Sequence, residues 1–124
     1  MIEIKQITSG KKRYIDLLLL GDEQEDMIDR YLERGDMFVL FDGGVKAECV
    51  VTHEGEGIYE IKNIATDPLF QRMGYAKYLI RYLFGRYSDQ CTTMLVGTGD
   101  VPSSLTFYEH CGFTYSHRII NFFI

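Results

Sequence analysis

The sequence predicts a mixed α/β domain spanning residues 1–124, with about six mostly antiparallel strands and about four helices. Three observations carry this reading. Residues 36–66 hold three consecutive runs of strand-forming residues separated by glycine turns. The following segment changes period, with Ala76, Leu79, Ile80, Leu83, Phe84 and Tyr87 recurring at the three-and-four spacing of one helix face. The last third then returns to strand, helix, strand. Hairpins make neighbouring strands antiparallel, whereas a strand–helix–strand passage sets its two strands parallel by the right-handed crossover rule.

The elements follow in order. Ile2, Ile4 and Ile7 give a short alternating strand, broken at Thr8-Ser9-Gly10. From Lys11 a helix places Tyr14, Ile15, Leu18 and Leu19 on one face, with Ser9 as candidate N-cap and Gly21 as its end. A second helix runs from Asp22 to about Arg34, its acidic start suiting the helix dipole and its acidic face read as solvated. Residues 36–41 and 45–52 form a hairpin over Asp42-Gly43-Gly44. Gly55 and Gly57 turn the chain into a longer strand from Ile58 to Thr66, stopped by Pro68. After the central helix, Thr92 to Val96 is a strand, Pro102 opens a last helix closed by Cys111-Gly112, and Phe113 to Phe123 is one final strand.

Composition excludes several classes. Hydrophobic residues make up 46% and charged residues 25% of 124 residues, which excludes wholesale disorder and fits a single domain with a working core. No apolar run reaches the length of a membrane span, and Met1-Ile2-Glu3-Ile4 lacks the basic and apolar parts of a signal peptide, so a cytoplasmic protein is expected. Cys49, Cys91 and Cys111 are widely spaced, without the pairing of a zinc site or redox dithiol; they are read as reduced packing residues, with no metal. A net charge of -5 argues against nucleic acid and is compatible with a cationic small substrate.

The chemistry centres on Gln71-Arg72-Met73-Gly74-Tyr75-Ala76, where a strand hands over to a helix. The first turn of a helix carries N–H groups without intrahelical acceptors and the positive end of the macrodipole, so it attracts phosphate oxygens. Gly74 lets a ligand approach the backbone, Ala76 keeps the next turn low, and Arg72 and Lys77 add positive charge. An ordinary helix connection that happens to hold a glycine is the competing reading.

With Gln71-x-x-Gly74-x-Ala76 at the crossover, Phe107-Tyr108-x-x-x-Gly112-Phe113 near the end, and this order of elements, nearly the whole chain resembles the GNAT family of acetyl-CoA-dependent N-acetyltransferases. The resemblance implies a sheet whose central parallel pair splays apart and receives the pantetheine arm of acetyl-CoA on the backbone of Ile64, Ala65 and Thr66. It implies a pyrophosphate cradle at Gln71, Arg72, Met73, Gly74, Tyr75 and Ala76. It also implies Tyr108 as general acid for the departing thiol, since a phenol holds its proton at neutral pH, and Glu60 as general base, acting directly or through water. Lys62, beside Glu60 by alternation, would weaken that base if close. The implied function is acetyl transfer to a primary amine by direct attack, the acceptor being a small molecule. A non-catalytic acyl-CoA-binding or interaction module is the alternative.

Each side chain also has a packing reading: Tyr108 beside Phe107, Glu60 as a solvent-facing strand residue, Cys111 as core, and His53, His110 and His117 as structural or surface histidines. Two departures from the family pattern stand out. The asparagine common at the start of the last helix is absent, with Val101 in its place and Asp100 or Ser103 as polar substitutes. No segment after Ile124 supplies the family's last strand, so the sequence predicts an uncovered apolar edge and either a partner chain across it, as in a homodimer, or a shortened chain.

Overall fold

The computed structural model describes residues 1–97, 108–109, 111, 114–116 and 119–123. Its strands are β1 (Glu3–Ile7), β2 (Asp36–Phe41), β3 (Val45–Gly55), β4 (Ile58–Thr66), β5 (Thr93–Gly97), β6 (Thr114–Ser116) and β7 (Ile119–Phe123). Its α-helices, among the described residues, are α1 (Ile15–Gly21), α2 (Glu25–Tyr31) and α3 (Tyr75–Arg86), and Tyr108 and Glu109 are helical as well. One sheet runs in the order β1-β2-β3-β4-β5-β7-β6, antiparallel throughout except between β4 and β5. The mixed fold, the hairpin, the meander and the parallel pair are therefore as the sequence predicts. No described helix is long and apolar enough to cross a membrane.

Both faces of the sheet are covered, which is why β2 reads as a nearly continuous apolar run rather than an alternating one. On one face Leu79, Ile80 and Leu83 of α3, with Tyr87, pack on Phe38, Cys49, Val51, Ile61 and Met94. On the other, Leu18, Ile28, Tyr31 and Leu32 pack on Met37, Val39 and Val50. Leu83 is fully buried, so truncating it to Ala would cost about 2–5 kcal/mol. Tyr87 also donates to Asp36 Oδ2 at 2.6 Å, which ties the end of α3 to the start of β2.

The first helix differs in detail from its predicted form. Gly10, not Ser9, is the N-cap, with φ 62°, and a 3-10 turn over Lys11–Tyr14 precedes α1. Lys11 is buried because its ammonium donates to the carbonyls of Leu32 (2.8 Å) and Gly35 (2.7 Å), closing the chain after α2 with a cation where carbonyls lack partners. Cys49 and Cys91 are buried and Cys111 half-buried, and all three are free thiols.

Two departures bear on the site. Val50 pairs with Asn63 and Val51 with Ile61, so Lys62 is an extra residue, a β-bulge in β4. Tyr59 and Ile61 pack on the α3 face, and beyond the bulge so does Ile64. The side-chain alternation has slipped by one, and Glu60 and Ile64, which strict alternation puts on one face, are on opposite faces.

The second departure corrects the predicted last strand and open edge. Residues 113–123 do not form one strand. β6 and β7 are separate, the polar stretch from Ser116 marking their boundary, and β7 pairs antiparallel with β5 from Thr93↔Phe123 to Gly97↔Ile119. The edge of β5 is thus covered from within the chain, and the premise for a partner strand there is gone. Asp100, Val101, Ser103, Phe107, His110, Gly112, Phe113 and His117 lie outside the described residues.

Candidate active site

The parallel ladder between β4 and β5 covers Ile58–Ile61 against Thr93–Val96 and ends there. Beyond it, among the described residues, Ile64, Ala65 and Thr66 pair only with β3, opposite Cys49, Glu48 and Ala47. Their other edge faces a cavity of about 540 Å³.

A set of local contacts shapes the turn that closes this cavity. Asp67 donates its N–H to Lys46 O (2.8 Å), and its side chain accepts from Leu69 N–H (3.0 Å), capping the 3-10 turn Pro68–Phe70. The Lys46 ammonium lies 3.5 Å from the centroid of the Phe70 ring, a cation–π contact that holds the turn against β3. Arg72 then has φ 66° and Gly74 φ 86°. A left-handed residue other than glycine costs about 1–2 kcal/mol, so Arg72 holds strain of the sort that collects at binding loops. Gly74 is the N-cap of α3 and offers no side chain to the helix, whose first-turn amides therefore have no side-chain cap. A Cβ built on Gly74 meets nothing within 4 Å, so only its backbone conformation, not crowding by this chain, calls for glycine.

The Tyr75 hydroxyl donates to Asp42 Oδ2 at 2.8 Å, pinning the start of α3 to the β2–β3 hairpin, and the N-terminal ammonium lies 3.1 Å from the other oxygen. Hydrogen bonding from Tyr75, then from the N-terminus, holds the Asp42 carboxyl below its usual range.

The cavity brings together most of the residues singled out from the sequence. Ile64, Ala65 and Thr66 line it from β4; Gln71, Arg72 and Gly74 from the turn; Tyr75 and Ala76 from the start of α3; and Tyr108 lines it as well. Met73 does not line it and is 62% exposed. Leu20 of α1 and Lys77 complete the wall. Leu20 was invisible as a site residue, being one leucine in a run of four whose contribution depends on where α1 packs.

Tyr108 is largely buried among the groove and core residues, and burial, with a smaller contribution from Cys111, pushes its phenol up to about 12. It also lines a second cavity of about 70 Å³ together with Lys62, Asn63 and Ile64. Glu60 lines neither cavity. Its carboxylate is 3.1 Å from the Lys62 ammonium, both side chains about a quarter exposed. Among the described residues no cluster of His, Cys, Asp and Glu could hold a metal ion. The arrangement can do two things: bind a polyanion at uncapped amides flanked by Arg72 and Lys77, and place a protonated phenol in the wall of the same groove.

Known proteins share this chain's sequence pattern and fold. Residues 33–115 match the model of the acetyltransferase (GNAT) domain. The uncharacterized N-acetyltransferase YvbK of Bacillus subtilis is 34% identical over 101 residues, which is 79% of this chain and 65% of the relative, so the chain spans just under two thirds of that protein's length. Among solved structures, an IAA acetyltransferase from Bacillus cereus shares 31% identity with a TM-score of 0.84, over 94% of this chain and 79% of the other. A GNAT family acetyltransferase from Elizabethkingia anophelis with acetyl-CoA bound has a TM-score of 0.89 at 22% identity, covering 99% of this chain and 98% of its own. A Bacillus subtilis acetyltransferase in complex with CoA has a TM-score of 0.88 at 22% identity, covering 100% and 99%.

Proposed function

We propose, from the premise that this chain belongs to the GNAT acetyltransferase family, that it transfers an acetyl group from acetyl-CoA to the primary amine of a small molecule by direct attack. The observation that carries the reading is continuity: one groove runs from the uncapped amides of α3 past the unpaired edge of Ile64–Thr66 to the Tyr108 phenol. Its size and lining fit the cofactor, with amides and two cations for the pyrophosphate and a free strand edge for the pantetheine amides. When bound there, acetyl-CoA supplies the acetyl thioester. The site residues proposed to hold it are Ile64, Ala65 and Thr66 along the arm and Gln71, Arg72, Met73, Gly74, Tyr75 and Ala76 around the phosphates, Met73 through its main chain.

In the reaction a C–N bond forms, a C–S bond breaks, nitrogen loses a proton and sulfur gains one. Tyr108 serves the sulfur. A phenol near 12 is a weaker acid than a thiol near ~8.5, so complete transfer from Tyr108 is uphill by roughly 5 kcal/mol. Its contribution is therefore a hydrogen bond that strengthens as negative charge grows on sulfur, with the proton moving late and being regained from solvent. Glu60 serves the nitrogen through water. The small cavity beside Tyr108 has room for about two water molecules at ~30 Å³ each, and its Lys62 wall leads to Glu60. The Lys62 ammonium, 3.1 Å from that carboxylate, holds it in place beside the small cavity.

Thiol release from acetyl-CoA over a panel of small amines tests the proposal: turnover with at least one amine, dependent on Tyr108, is expected. Tight binding of acetyl-CoA without turnover on any amine would instead support a non-catalytic acyl-CoA-binding module.

A further inference from the structure

A buried polar cluster between α1, α2 and the middle of the sheet takes no part in the groove chemistry. Glu48 on β3 is fully buried, and neither carboxyl oxygen has a hydrogen-bond partner among the described residues. Asn63 on β4 is 3% exposed. Its Nδ2 donates to Leu18 O at 2.9 Å and to the Tyr31 hydroxyl at 3.1 Å, which uses both amide protons. Asn63 Oδ1 is left buried and without a partner among the described residues. The amide cannot be turned round, because its oxygen would then face the Leu18 carbonyl.

Register brings the two groups together. Glu48 is opposite Ala65 and Val50 is opposite Asn63, so Glu48 and Asn63 are diagonal neighbours on one face of the sheet, within reach of a long side chain. One group lacks a donor, and the other has a donor only when protonated. We propose that Glu48 is carried as the neutral acid and that its O–H, directly or through one water, donates to Asn63 Oδ1, making Glu48 a positioning residue for the groove wall formed by α1.

The route to that wall is short. Asn63 holds the Leu18 carbonyl in the last turn of α1, and a Cβ on Gly21 would overlap Asn63 Oδ1, so the helix end is seated directly on this amide. Leu20, between Leu18 and Gly21, lines the groove. The surroundings favour the neutral acid. Tyr31 from α2 and Cys49 from the same strand feel the Glu48 charge, and Asp22 joins the cluster through the Tyr31 hydroxyl at 3.2 Å. The residues opposite Glu48 on β2 and β4 are Val39 and Ala65. None of these supplies a positive charge, and an unpaired carboxylate here is far costlier than the acid. Burial accordingly pushes the Glu48 carboxyl from 4.5 up to about 8. Because the folded value is the higher one, the folded state holds the extra proton. Its stabilising contribution is complete below 4.5 and is lost as pH rises to about 8, with no further change above.

Infrared difference spectra between the wild type and Glu48→Gln at pH 6 should show a carboxylic-acid C=O band only in the wild type. Equilibrium unfolding should show the wild-type unfolding constant rising relative to that of Glu48→Gln by up to about tenfold per pH unit between these limits, then levelling. Glu48→Gln, whose amide replaces the O–H donor, should keep coenzyme A affinity, whereas Glu48→Leu should weaken it several-fold. The affinity comparison rests on the groove being the coenzyme A site, while the band and the pH profile do not. If the wild type itself fails to bind coenzyme A, the groove reading fails and the two other measurements still decide the state of Glu48. A missing band, parallel pH profiles, or a Glu48→Gln protein as impaired in binding as Glu48→Leu would overturn the proposal. Should Glu48→Leu not fold, the wild type and Glu48→Gln suffice.

Discussion

Ile61 and Val96 form the last rung of the parallel ladder between β4 and β5, and three residues beyond it Ile64 shares both cavities with Tyr108. Past that rung β4 runs on to Thr66 along the larger cavity. The residues that line it come from β4, from the turn before α3, from α1 and from Tyr108, so changes at each point test different parts of the reading.

Gly74→Val places a side chain where the chain itself leaves open space, so the fold bears only the left-handed backbone cost of about 1–2 kcal/mol. The side chain projects beside the uncapped amides, and coenzyme A affinity should fall by about tenfold or more. Calorimetric titration with an unchanged dissociation constant would remove the phosphate cradle from this turn.

Tyr108→Phe removes the hydroxyl and keeps the ring that packs on the core. We expect kcat to drop by about 10²-fold or more, as for a lost proton donor, with the KM for acetyl-CoA little changed. Turnover within twofold of the wild type would assign protonation of sulfur to solvent.

Glu60→Gln should have a pH-dependent effect. A base is needed only while the acceptor is an ammonium, so the deficit should be largest below the amine's pKa, near ~10 for an alkylamine, and shrink above it. Because Glu60 acts through water rather than by direct contact, the loss should sit at the low end of general-base effects, about 10²-fold at neutral pH. An equal deficit at every pH would show Glu60 to be an anchor for Lys62 and nothing more.

With β7 laid along β5, the outer strand on that side among the described residues is the three-residue β6, a short edge of the sort that resists pairing with another chain. Static light scattering should therefore give the mass of a single chain. A stable dimer would show that association uses some other surface.

The order of the elements, the hairpin at Asp42-Gly43-Gly44 and the glycine turn into α3 at Gly74 were legible because each depends on residues within a few positions of one another. A positive φ at glycine, a proline stop and a helical period are local properties of the chain. Tyr108 and the backbone of Ile64–Thr66 came from a resemblance of motifs, and the structure brings them to one groove. Leu20, and the pairing of a buried Glu48 with Asn63, left no such local mark.

What the sequence by itself determined is which segments are strands, which are helices, and where the chain turns with its amides outward. Tertiary structure alone decided that Lys62 is an extra residue in β4, which puts Glu60 and Ile64 on opposite faces, and that residues 119–123 slot beside β5. Register and strand order are set by partners tens of residues away. A single bulge reverses every later side chain in a strand without altering its composition, so no period counted along the chain can detect it.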